Sequence, residues 1–320
     1  MRLIRTWREI QAEAAGAVVA VGNFDGVHEG HRAVIGAAVG AARTASAPAG
    51  VLTFEPHPRT WFRPEQDPFR LTPLRSKVRQ LEAQGLDLLY VLPFDEAMAT
   101  RTAEAFVEDI LIGGLQADRV VVGYDFVFGK GRTGSVETLQ GYSEAGRFGL
   151  TVVPAVDDGT GASYSSTRIR GALRDGDPAT AAALLGRYWE IEGHVLPGDR
   201  RGRTIGFPTA NLDIGDYLRP RFGVYAVLIA LDDPDSAETV WLPGVANLGK
   251  RPTIGGDKVL LEVNIFDFDS DIYGRLARVR LVDYVRPETK FDGLDALKAQ
   301  IAKDAAAARR IIAALPAGRR

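Results

Sequence analysis

The sequence predicts two domains of different class, an α/β domain built on a parallel sheet and then an antiparallel β-barrel followed by a C-terminal helix. Three observations predict it. Up to about residue 186, short β-branched runs alternate with segments of helical periodicity, the pattern of βαβ crossovers. From residue 187, extended runs follow one another across turn signals with no helix between them, the pattern of a small closed barrel. Near the C-terminus, Leu294, Leu297, Ile301, Ala305, Ala308 and Ile312 recur at helical spacing, which predicts a helix packed on that barrel. The division expected is 1–186 and 187–320, and a chain of 320 residues has the length for both.

In the first part, strands are predicted at 18–21, 51–54, 86–92, 119–122 and 150–156. Helices are predicted at 32–43, 76–84, 103–112 and 136–148, and a short alanine-rich helix around 178–187 closes the domain. In the second part the extended runs are 188–195, 223–230, 239–248, 259–266 and 275–284.

Composition narrows the function classes. The chain is 46% hydrophobic and 25% charged, as ordinary globular proteins are. A net charge of -2 offers no broad basic surface for nucleic acid, so any phosphate binding must be local. Zero cysteines exclude disulfides and thiolate catalysis. Residues 1–7 lack the apolar core of a signal peptide, and no apolar run reaches membrane-spanning length. The expectation is a soluble cytoplasmic protein acting on small molecules, with neither nucleic acid nor membrane as partner. Its oligomeric state is not decided by the sequence.

The chemistry concentrates in a few stretches. Directly after the first strand comes Gly22-Asn23-Phe24-Asp25-Gly26-Val27-His28-Glu29-Gly30-His31, with two of the four histidines. A strand-to-helix turn delivers His28 and His31 to a helix N-terminus, where backbone N–H groups and the helix dipole favour phosphate. With no cysteine and no third histidine nearby, a zinc site lacks ligands. A phosphate site and a plain glycine-rich turn remain the alternatives. The loop 123–132, with Asp125, Lys130 and Arg132 among aromatics and glycines, suits a flat ring joined to a phosphate, or else is a mobile surface loop. His57 between two prolines reads as a structural turn. Ser165, Ser166, Thr167, Arg168 and Arg170 either cap a helix or hold a polyphosphate.

The barrel has its own dense stretch at 193–212. Gly198, Gly202 and Gly206 stand among Arg200, Arg201 and Arg203, making either a cationic loop that wraps phosphates or a hairpin loop. Thr209 and Asn211, two apart, offer a hydroxyl and an amide oxygen on one side of an extended segment to a hard cation such as Mg²⁺. Glu262 stands on a mainly apolar strand, either paired structurally or poised as a general base.

These stretches together resemble the prokaryotic bifunctional riboflavin kinase/FAD synthetase (FMN adenylyltransferase) family over nearly the whole chain. Residues 22–31 look like its HxGH motif, Ser165 to Arg170 like its second nucleotide-binding motif, and 202–212 like its kinase signature; 244–253, Leu261-Glu262 and 286–291 extend the likeness. The resemblance implies a Rossmann-like nucleotidyltransferase domain followed by a six-stranded riboflavin kinase barrel. It implies Mg²⁺ and ATP, with riboflavin, FMN and FAD as substrate, intermediate and product. Glu262 is then the base acting on riboflavin, with Thr209 and Asn211 as metal ligands. His28, His31 and Arg168 stabilise adenylyl transfer, which releases pyrophosphate. Gly22, Asn23, Phe24, Asp25, Gly30, Asp125, Ser165, Ser166 and Thr167 are implied in nucleotide or flavin binding, as are Gly198, Gly202, Arg203 and Arg286 in the barrel. Three positions depart from the commonest pattern: Asn264 where histidine is frequent, Val127 where arginine is frequent, and Tyr164 where an aliphatic is usual.

Overall fold

The computed structural model describes residues 1–8, 14–197, 207–232, 239–253 and 256–316. Their contacts form two compact units, one of Met1–Asp67 with Thr72–Ser166 and one of Pro68–Leu71 with Thr167–Arg320.

The first unit is built on a six-stranded parallel sheet of β1 (Arg2–Ile4), β2 (Val18–Val21), β3 (Ala49–Glu55), β4 (Leu88–Pro93), β5 (Arg119–Gly123) and β6 (Gly149–Val153), ordered β1-β4-β3-β2-β5-β6. From β2 the chain winds outward through β3 to β4, then crosses back to add β5 and β6 on the other side of β2. The direction of winding therefore reverses beside β2, and the crevice at the carboxyl end of that strand is where such sheets bind ligands. All four residues of β2 are buried, as a strand covered on both faces requires. Val19 and Val21 join Tyr90, Val120 and Val122 in one core, while Val18 and Ala20 join Val51, Leu89 and Val121 in the other. Helix α1 (Glu29–Ala45) closes the second core with Val34, Ile35, Ala38 and Ala42, and α2 (Pro58–Phe62), α3 (Leu74–Glu82) and α4 (Val136–Glu144) follow.

The differences from the expected elements have local causes. β1 is unforeseen because a three-residue edge strand leaves no periodicity; its place comes from pairing with β4. Helix α1 begins three residues before the predicted start because His28 caps it and Glu29 suits the positive end of its dipole. β6 ends at Val153, since Pro154 has no N–H for the ladder. The predicted helix 103–112 is a short α turn leading into a π-helix, Phe106–Gly114. There the Leu115 N–H reaches the Ile110 carbonyl at 2.7 Å, and Leu115 is buried with Ile110 and Leu111.

The second unit is a closed antiparallel barrel of β7 (Trp189–Leu196), β8 (Ala210–Asp213), β9 (Gly223–Leu231), β10 (Leu242–Thr253), β11 (Gly256–Ile265) and β12 (Leu276–Arg286), ordered β10-β11-β8-β7-β12-β9. The sixth strand is β8, which carries Asn211 and is too short to stand out as a run of its own. Helix α5 (Ser166–Asp175) begins inside the serine-arginine motif. Helix α6 (Pro178–Leu185) packs on β7 and β12. The C-terminal helix, α7 (Leu294–Ala313), buries Ala308 and Ile312 against Val224, Ala226, Leu228 and Val282. Its N-terminal apolar residues do not join this core: Leu294 is 53% exposed, and Leu297 and Ile301 line a cavity instead.

Candidate active sites

The turn after β2 is held in a costly backbone shape. Phe24, Gly26 and Val27 all have positive φ (47°, 94° and 43°), a conformation that strains a β-branched residue such as Val27 in particular. Buried polar bonds hold it. The Asp25 carboxylate accepts from the Thr72 backbone N–H at 3.0 Å, and the Thr72 hydroxyl accepts from the Gly26 N–H at 2.9 Å. The Asn23 carbonyl accepts from the Lys77 ammonium at 2.7 Å and from the Thr53 hydroxyl at 3.2 Å. Ser166 donates to the Asp25 carbonyl at 2.8 Å. Asp25 and Phe24 are buried and so shape the turn from within. Gly22 leaves room for the Phe24 ring, 3.0 Å from where a Cβ would stand.

The histidines stack on one another, ring centroids 3.6 Å apart and 20° from parallel. The His31 backbone N–H donates to Nδ1 of His28 at 3.3 Å, capping α1. An accepting Nδ1 puts the proton of a neutral His28 ring on Nε2, which makes that nitrogen a donor to anions. Gly30 packs tightly beside it, since a Cβ there would lie 3.2 Å from the imidazole. His57 is structural as expected: its Nδ1 accepts from the Arg59 N–H at 3.0 Å and caps α2.

The 123–132 loop is tied by reciprocal backbone bonds between Phe128 and Gly134 (3.0 and 2.9 Å), and Phe126 stacks on Phe128. A Cβ at Gly129 would stand 2.7 Å from the Ala103 nitrogen, so packing accounts for that glycine. Asp125, Tyr124 and Val127 are exposed on it. Of the serine-arginine motif, Ser165 and Ser166 belong to the first unit, while Thr167 and Arg168 open α5 in the second. Arg170 is buried there, donating to the Phe69 carbonyl at 2.9 Å with its guanidinium over the Phe69 ring.

The barrel site assembles across strands. Register sets Glu262 on β11 between Asn211 on β8 and Asn247 on β10. Their sequence neighbours Ala210, Leu212, Ala246, Leu248, Leu261 and Val263 are buried, so the three polar side chains take the opposite face and line a cavity of about 1150 Å³ with Thr209. Neither the Thr209 hydroxyl nor the Asn211 amide hydrogen-bonds to another described residue, which leaves two neutral oxygen donors on one side of the cavity. Glu262 is paired: its Oε1 accepts from Nε of Arg251 at 2.8 Å and its Oε2 from Nη2 at 2.7 Å. The same bonds raise the Arg251 pKa further above its ordinary value. Arg286 forks onto the buried Asp304 at 2.7 to 3.0 Å, joining the end of β12 to α7 at the cavity wall. Asn264 donates to the Pro208 carbonyl at 2.8 Å, so the departure from histidine there secures the segment leading to Thr209. Gly198, Gly202 and Arg203 lie outside the described residues. Arg251, Asn247 and Glu288 line the cavity without having been singled out, because only the β10–β11 register brings them to Glu262.

Comparison with known proteins matches two families to the chain. The FAD synthetase family matches residues 10–168 and the riboflavin kinase family residues 185–312. A bifunctional riboflavin kinase/FMN adenylyltransferase of Escherichia coli strain K12 is 42% identical over 311 residues, 97% of each chain. The Bacillus subtilis strain 168 protein of the same name is 38% identical over 300 residues, 92% of each chain. A crystal structure described as a macrolide-efflux protein from Streptococcus pneumoniae superposes with a TM-score of 0.83 at 34% identity, covering 96% of this chain and 98% of that one. The chain therefore belongs to the bifunctional riboflavin kinase/FMN adenylyltransferase family and carries both activities.

Proposed function

We propose that the two activities divide at residues 186 and 187 and run in sequence, the barrel making the FMN that the α/β domain converts to FAD. In the barrel, Glu262 takes the proton of the terminal ribityl hydroxyl of riboflavin as its oxygen attacks the γ-phosphorus of ATP. The bond to the bridging oxygen breaks and ADP leaves. The observation that carries this is the placing of Glu262 in register beside Asn211, on one cavity face with Thr209.

A metal site fits here. Mg²⁺ is held by few protein oxygens when phosphates and water complete its shell, and Thr209 and Asn211 offer two such oxygens with no competing partner among the described residues. Bound there, Mg²⁺ would neutralise phosphate charge. No group of three or more His, Asp or Glu residues able to hold a metal occurs among the described residues.

In the α/β domain, a phosphate oxygen of FMN attacks the α-phosphorus of a second ATP and pyrophosphate leaves. Nε2 of His28, with His31 and Arg168, stabilises the charge that develops, while the N–H groups at the start of α1 bind the phosphates. No covalent enzyme intermediate is needed. Dependence on ATP fits a cytoplasmic enzyme, and no helix among the described residues is long and apolar enough to cross a membrane. Incubating the protein with riboflavin, ATP and Mg²⁺ and separating the flavins tests the reading. FMN should appear first and FAD after it; FAD formed from riboflavin without an FMN phase, or FMN alone, overturns the sequence proposed.

A further inference from the structure

A general base acts best when its charge is not neutralised, yet each oxygen of Glu262 accepts from one guanidinium, which lowers its basicity. Phosphoryl transfer also needs positive charge on the γ-phosphate. Both requirements meet at one residue. We propose that Arg251 exchanges anions during the kinase reaction, leaving Glu262 for the γ-phosphate of ATP, so that nucleotide arrival both frees the base and gives the phosphate a forked cation. The inference rests on Glu262 being that base.

The structure makes the exchange inexpensive. The Arg251 side chain is 47% exposed and Glu262 24%, so their pair is partly solvated and water screens the attraction between its members. A phosphate presents the same bidentate geometry as a carboxylate and carries more charge, which a guanidinium matches closely. Arg251 pairs with Lys258 in the register and Glu262 with Asn247, so its side chain runs back along β10 past position 249. That position is glycine, so it adds no side chain of its own beside the arginine. The Glu288 carboxylate lies close over Gly249, with Oε1 accepting from the Asn247 amide at 3.3 Å. It adds a second negative charge near Arg251. The guanidinium thus stands among groups lining the same cavity as Thr209 and Asn211. A plain ion pair bracing β10 to β11 is the competing account, and it predicts different kinetics.

The test is steady-state FMN formation by Arg251→Ala and Arg251→Lys at varied ATP with ADP as inhibitor, with FAD formation from supplied FMN as the internal measure of folding. Arg251→Ala should lower kinase kcat/KM for ATP about 10²-fold, the usual loss on removing one such donor. The ADP inhibition constant should move far less, because ADP has no γ-phosphate. Arg251→Lys should recover part of the loss, and adenylyl transfer should stay at the parental rate. A kinase as fast as the parent or faster in Arg251→Ala overturns the inference, as does an equal weakening of ATP and ADP. Glu262→Gln separates this failure from that of the base assignment. If Glu262→Gln loses kinase activity while Arg251→Ala keeps it, only the exchange falls; if Glu262→Gln keeps the parental rate, the base assignment falls and the exchange with it.

Discussion

The two sites are built by opposite means. The histidine turn is contiguous in sequence, ten residues from Gly22 to His31, and its shape is stored in backbone: positive φ angles at Phe24 and Val27 fixed by buried bonds from Thr72, Lys77 and Thr53. The barrel site is scattered from Thr209 to Arg286, and strand register with the partly exposed Arg251–Glu262 pair and the Arg286–Asp304 pair brings its parts together. A backbone-built site presents fixed N–H groups and dipoles to a leaving pyrophosphate without rearrangement. A register-built site keeps its charged arms adjustable, which suits a centre that must accept a nucleotide and a flavin and release two products.

The largest expected effects exchange the activities between the sites. Glu262→Gln should slow FMN formation about 10²–10⁴-fold, the span for a lost general base, and leave adenylylation of supplied FMN intact. His28→Ala with His31→Ala should do the reverse, at about 10²–10³-fold for each donor removed. Measuring both activities on each variant checks the comparison. If each variant lost both activities equally, the two sites would not be independent.

Legibility in the sequence follows the same contrast. The histidine turn and the serine-arginine motif were readable because their parts are neighbours in the chain. Helix α1 and strands β2 to β5 were readable because buried β-branched runs alternate with helical spacing. Thr209 with Asn211 was readable as a pair two apart, but their nearness to Glu262 only through the family likeness. That Asn211 and Asn247 flank Glu262 depends on β-pairing, which no local pattern encodes. For the same reason Arg251 could not be seen as the partner of Glu262. Nor could Lys77, an apparently ordinary helix lysine, be seen as a fully buried brace beneath the turn.

That brace allows a smaller test. Lys77→Met keeps most of the volume and removes the ammonium from the Asn23 carbonyl, which still accepts from the Thr53 hydroxyl. A hydrogen bond from a charged donor contributes about 1.5–3 kcal/mol, so thermal unfolding of the variant should occur earlier by that loss. FAD formation should fall while FMN formation keeps its rate. Parental FAD formation in Lys77→Met would mean that the turn keeps its shape without the ammonium, and that backbone strain there needs less support than the structure provides.

The smallest effect concerns neither site and calibrates the others. Asp177 caps α6, its carboxylate accepting from the Thr180 N–H at 2.9 Å, and hydrogen bonding to Thr180 holds its pKa below the usual 3.8. A folded-state pKa below the unfolded one gives stability that is present above about pH 4 and is lost as pH falls through the folded value. Asp177→Ala should therefore destabilise by about 1 kcal/mol at neutral pH, the ordinary worth of an N-cap, with the difference shrinking in acid. Asp177→Asn keeps a cap oxygen and should lose less at neutral pH, with little pH dependence of its own. Unfolding curves at neutral pH and near pH 3 separate the cases. Equal loss by Ala and Asn at neutral pH would assign the stabilisation to charge on the helix dipole and not to the cap bond, whereas neither activity should change in either variant.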